Sequence, residues 1–215
     1  MLDLFRQLAA PALVGLLFAS LVLVVATDWW LNCLALAGVY LCVAVLFEQI
    51  AVWQVIAVRL IVGALVVLIL LLTGRAVNFG RSVTVSPLGE PPHSPRGRFE
   101  FPTGFPFRLV AAAMVSLAAW YAASQPGFAL PNLPLGLNVA SYLLMALGLL
   151  SLGLTEEPLN AGIGLFMFLA GFQILYTALE SARTIVALLA AVDFALALTV
   201  SYLALLRYAA RRPGA

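Results

Sequence analysis

Within the apolar run LLAAVDFALAL, residues 188–198, stands a single carboxylate, Asp193. An aspartate at mid-membrane depth costs about 2.5–3.5 kcal/mol even on insertion-based scales, so it needs a partner or a proton. A cation stands in a similar setting, Arg59 in VWQVIAVRLIVG. Three further polar groups accompany these two: Gln173 in FMFLAGFQIL, and the acids Glu48 and Glu180 at the ends of apolar runs. Such groups could do one of two things. They could pass protons or ions from the outer carboxylates Glu48 and Glu180 towards Asp193. They could instead form a static buried pair that sets helix register, since intramembrane charges face inward and pair, although a buried pair is poor evidence of net stability.

The elements that position these residues are membrane helices. The 215-residue chain is 64% hydrophobic and 9% charged, against roughly 25% charged in a soluble domain, and its mean hydropathy is +1.10. A span needs about 20 apolar residues. That ruler predicts an all-α integral membrane fold of seven helices, at roughly 8–27, 30–47, 50–73, 107–124, 138–154, 160–180 and 184–207. TDWW offers Asp28 as a cap and two interfacial tryptophans, and the prolines of SQPGFALPNLPLG and TEEPLN stop or start helices. The N-terminal run reads as a retained helix, with no small-residue cleavage site before DWW. On this ruler Arg59 and Asp193 each lie about 13 Å from the outer end of their helices, and Gln173 about 10 Å. Matched depth predicts that Asp193 and Arg59 pair directly, through Gln173, or through water.

One stretch departs from this pattern. Gly74–Arg108 carries six prolines and five arginines and reads as an extramembrane loop, either a solvated connector or a docking surface, in which RSVTVS could form a short hairpin. The tail RYAARRPG adds three arginines. The positive-inside rule puts loop and tail in the cytoplasm and the N-terminus outside. Glu48 precedes Arg75 by 27 residues, and Glu180 precedes Arg207 by the same interval. That spacing suggests a three-helix unit used twice. The organisation is then 1–73 as a first unit, 74–106 as the cytoplasmic loop, 107–124 as a linking helix, and 125–215 as a second unit with a short basic tail.

Other features are plain. Cys33 and Cys42 lie nine residues apart in one helix, about 13 Å along its axis, too far for a disulfide. Glu156 and Glu157 suit the start of the sixth helix, and Glu180 with Arg183 makes a weak surface pair. Gly162, Gly164 and Gly171 suggest close helix packing rather than a nucleotide loop. No metal-ligand spacing, nucleophile elbow or phosphate loop occurs. No cofactor, metal or nucleic-acid partner is expected, and nothing argues for an enzyme acting alone. A lipid-directed enzyme would need more than the loop's His93 and Glu100.

The second half, NVASYLLMALGLLSLGLTEEPLNAGIGLFMFLAGFQILYTALESARTIVALLAAVDFALALTVSYLALLR, resembles the three-helix subunit K of respiratory NADH–quinone oxidoreductase. It is more similar still to hydrogenase-4 component E, through its TEEPLN break, its GIG start and its aspartate at 193. Trp53 and Arg59 resemble a family segment with a basic residue soon after a tryptophan. The resemblance implies a non-redox subunit in the membrane arm of a complex I-like or hydrogenase-linked, cation-translocating assembly of a prokaryotic inner membrane. Its partners there would be antiporter-like hydrophobic subunits and lipid. The family's middle helix carries a buried glutamate where this chain has Leu169, and Gln173 one turn later cannot carry a proton. The role implied is therefore mainly structural, with a polar relay through Asp193, Arg59 and Glu48 as an addition. A free-standing small transporter is the alternative, since weak internal repeats accompany some transporters.

Overall fold

The computed structural model describes residues 2–26, 28–48, 53–77, 104–128, 133–155, 157–179 and 183–210, with side chains for all of these except 2–9, 183 and 210. They form seven α-helices: α1 (Leu2–Val25), α2 (Trp29–Phe47), α3 (Trp53–Ala76), α4 (Phe105–Ser124), α5 (Leu135–Leu154), α6 (Pro158–Leu179) and α7 (Arg183–Ala210). No strand occurs among the described residues. Six helices, α2 to α7, are long and apolar enough to cross a membrane, and in α1 the corresponding apolar stretch is the shorter Ala10–Val25. The RSVTVS hairpin expected in the loop, with His93 and Glu100, lies outside the described residues, as do Glu156 and Glu180.

Helix ends follow local chemistry. Pro134 stands at the N-cap of α5 and Pro158 opens α6, positions where a missing N–H costs nothing. Asp28 occupies the N-cap of α2, but its side chain makes no capping bond. Asn32 instead serves the end of α1, its Nδ2 donating to Ala26 O across the turn at 3.2 Å. At the opposite chain polarity, Arg108 near the start of α4 donates from Nη2 to Leu154 O, the last residue of α5, at 3.0 Å. A cation there satisfies an orphan carbonyl and suits the negative end of the helix dipole.

The helices pack as two similar trios. Within the first, α1 packs on α2 and α2 on α3; within the second, α5 packs on α6 and α6 on α7. Across the bundle like meets like: α1 touches α5, α2 touches α6 and α3 touches α7, while α4 lies against α5 and α1. Equivalent helices run in the same direction. Asn32 and Asn160, at the starts of α2 and α6, hydrogen-bond to each other at 3.1 Å. Arg75 and Arg207 fall in the last turns of α3 and α7.

The tightest seam is α5 against α6. A Cβ on Gly148 would stand 2.6 Å from Phe168 N, and one on Gly171 would stand 2.7 Å from Ser141 O. Backbone therefore lies against backbone, the approach that small residues permit between membrane helices. Gly162 serves a different seam, facing Val200 of α7, whose methyl would lie 2.4 Å from an added Cβ. Apolar side chains fill the interior, among them Leu16, Leu36, Phe47, Leu70, Leu144 and Phe166. Large apolar side chains also cover the outside, and on α4 Phe107, Val110, Met114, Leu117 and Tyr121 form one exposed face. Exposed patches of that size suit hydrocarbon rather than water.

Substituting Gly171 by leucine is expected to cost about 3 kcal/mol or more, the upper range for overpacking, because backbone cannot yield as a side chain can. Gly153 meets nothing within 4 Å, so Gly153→Ala is expected to gain about 0.5–1 kcal/mol from helix propensity. Thermal unfolding of the two variants in detergent measures both.

Candidate functional site

Four helices, α2, α3, α6 and α7, meet around a cluster of polar side chains. Measured from the first residue of its helix, Arg59 lies six residues into α3 and Asp193 ten residues into α7. These correspond to about 9 Å and 15 Å along their own helices. Among the described residues no direct ion pair joins them. Residue 173 makes the connection. Gln173 Nε2 donates to Asp193 Oδ2 at 2.8 Å. The Gln173 carbonyl accepts from Arg59 Nη2 at 3.2 Å.

Arg59 is held from two more directions. Its Nη2 also donates to Thr177 Oγ1 at 3.1 Å, and that hydroxyl donates to Gln173 O at 2.7 Å. Its guanidinium carbon lies 4.0 Å from the centre of the Phe47 ring, a cation–π contact that gains strength where water is scarce. Asp193 is only 5% exposed, and its Oδ1 accepts no hydrogen bond from any described residue. Tyr40 completes the wall from α2. Its ring fits against Gly63 of α3, where a Cβ would come within 2.8 Å of a ring carbon. Tyr40, Phe47, Arg59, Gln173 and Asp193 all line one cavity of about 20 Å³, walled elsewhere by apolar residues such as Ile56 and Val186.

The remaining sequence candidates stand elsewhere. Glu48 is exposed at the C-cap of α2 and does not line this cavity. It ends its helix pointing into the surroundings, so its nearness in sequence to Phe47 does not carry it into the cluster. Glu180 lies outside the described residues. Leu169 is half-buried on α6.

Sequence reading missed three members of the site. Thr177 stands one helical turn after Gln173, and that spacing was its only signal. Tyr40 offered a phenol in mid-helix, and Phe47 offered nothing distinctive. A second polar group, at the opposite end of the bundle, was also missed. Besides the Asn32–Asn160 bond, Asn160 Nδ2 donates to Glu157 Oε2 at 3.2 Å. The two clusters are not continuous. From Asn160 to Gln173 is 13 residues of α6, about 20 Å of helix. That interval is packed with Ile163, Phe166, Met167 and Ala170 and, from α2, Leu36 and Val39, all buried.

No protein-family model, curated protein or solved structure matches this chain.

The linkage through residue 173 generates a double-mutant test. Asp193→Asn removes the only carboxylate among the described residues that lines the Arg59 cavity. It is expected to cost about 3 kcal/mol, the lower end for stranding one partner of a buried pair. Adding Arg59→Gln is expected to restore at least half of that loss. The yield of folded protein by size-exclusion chromatography and the melting temperature report both changes. Strict additivity of the two single losses would show that the charges do not sense each other.

Proposed function

We propose that this chain is a membrane-embedded, non-redox subunit of a complex I-like or hydrogenase-linked cation-translocating assembly in a prokaryotic inner membrane. Its role there is mainly structural, with Arg59, Gln173 and Asp193 contributing a polar element to the arm. The observation that carries this reading is the setting of that cluster. It holds two opposite charges at membrane depth, and about 20 Å of apolar core separates it from the polar residues at the other end of the bundle. A self-contained ion carrier needs a route to both sides. A subunit whose neighbours supply the rest of the route does not.

Two other features support the assignment. The second trio resembles subunit K and hydrogenase-4 component E in its TEEPLN break, its GIG start and the aspartate of its last helix. The exposed apolar faces of α3, α4 and α7 suit contact with lipid and with antiporter-like subunits. Leu169, standing where the family carries its glutamate, argues that proton passage is not this chain's main contribution. The orientation that goes with this reading places the Arg-rich segment 74–106 and the C-terminus in the cytoplasm.

A free-standing transporter is the second reading, favoured by one observation. Arg59 belongs to the first trio and Gln173 and Asp193 to the second, so the cluster lies where the two similar halves meet, as substrate sites do in repeat-built transporters.

Mild-detergent purification of the tagged chain separates the two readings. Co-purification of antiporter-like subunits, identified by mass spectrometry, is expected; recovery of the chain alone or as a small homo-oligomer would favour the transporter. Fusions at the C-terminus check orientation independently. A fluorescent protein there is expected to light up and a periplasmic phosphatase to stay inactive.

A further inference from the structure

We infer that the cavity between α2, α3, α6 and α7 is a binding site for one ordered water molecule, which bridges Asp193 to Arg59 and completes an ion pair the side chains leave open. Three observations on different residues converge there. Asp193 Oδ1 is buried and accepts no hydrogen bond from any described residue. Both hydrogen bonds of Arg59 to described residues leave from Nη2, and its Nε and Nη1 hydrogens donate to no described residue. The cavity between these groups measures about 20 Å³, and about 10–15 Å³ on that measure holds one water.

The chemistry of the walls selects the ligand. A water needs two to four polar partners. Here a guanidinium can donate to its oxygen and the orphaned carboxylate oxygen can accept from it, and Tyr40 lines the same space. An orphaned charged acceptor costs more than immobilising a bridging water, so occupancy is favoured. A sodium ion of similar size would face the guanidinium charge directly, which a neutral water does not. An apolar guest would leave the carboxylate oxygen unpartnered.

The water would be confined to this end of the bundle. Phe47 and Phe166 make the comparison possible, because both are fully buried yet only Phe47 lines the cavity. Submillisecond X-ray irradiation turns bound water into hydroxyl radicals that oxidise adjacent side chains, read by mass spectrometry of the purified protein. Tyr40 and Phe47 are expected to be oxidised on the order of tenfold faster than Phe166, as a site-bound water requires. Ala190→Leu, which fills the cavity from α7, is expected to abolish that difference. Ala44→Val serves the same purpose from α2 if the first variant does not fold.

Equal, slow oxidation of Phe47 and Phe166 would overturn the proposal, since the cavity would be dry. Fast oxidation that persists in the filled variant would also overturn it, because the radicals would then come from bulk solvent. A melting temperature raised by sodium over choline would assign the site to a cation instead. The labelling and the purification above read different properties, so either can fail without the other.

Discussion

A guanidinium and a carboxylate held together in hydrocarbon are the constraint from which the rest of this bundle follows. Neither Arg59 nor Asp193 is tolerable alone at that depth, and neither reaches the other. Gln173 reconciles them, giving its side chain to one and its carbonyl to the other. That carbonyl also accepts from the Thr177 hydroxyl, which in turn accepts from Arg59. Three helices must therefore keep their relative heights, because a slide of one residue along any of them would separate these partners. The fourth, α2, supplies Phe47 and Tyr40 as walls, so that the charges meet aromatic faces rather than lipid tails.

That demand for fixed height explains why α6 is so firmly seated. Gly148 and Gly171 let α5 and α6 approach to backbone contact. In a bilayer, where burial of apolar surface between helices gains little, van der Waals contact of this kind supplies much of the association. The α5–α6 pair then forms a platform on which Gln173 is held at one height. Arg108 ties α4 to the same pair through the last carbonyl of α5. The peripheral helices, by contrast, present long apolar faces outward, and their inner faces carry the polar contacts.

The two ends of the bundle differ in character. One holds the charged cluster and its cavity. The other holds the neutral Asn32–Asn160 bridge with Glu157, tying the starts of α2 and α6 across the interface of the two trios. Dry side chains separate them. The like-with-like contacts of α1 with α5, α2 with α6 and α3 with α7 give the assembly its near-symmetry, and the charges break it, since Arg59 and Asp193 lie on equivalent helices with opposite signs.

The residue string by itself determined that this is a helical membrane protein, where its seven helices lie to within six residues at either end, and that Asp193, Arg59 and Gln173 are exceptional. Those conclusions rest on local sums: apolar length against bilayer thickness, and the cost of one charge in one run. It put Glu48 at the outer end of its helix, where the residue stands exposed, but could not say whether the side chain reaches the cluster, because the end of a helix looks the same in sequence whether its side chain turns inward or out. It passed over Thr177, Tyr40, Phe47 and Gly148, whose types are ordinary in membrane helices. Only the tertiary structure decided that a glutamine stands between the two charges, that an aromatic ring lies over the arginine, and that apolar core seals the far half. These outcomes depend on offsets of a few ångströms between helices, set by side-chain packing at their crossings, and linear spacing carries no record of such offsets.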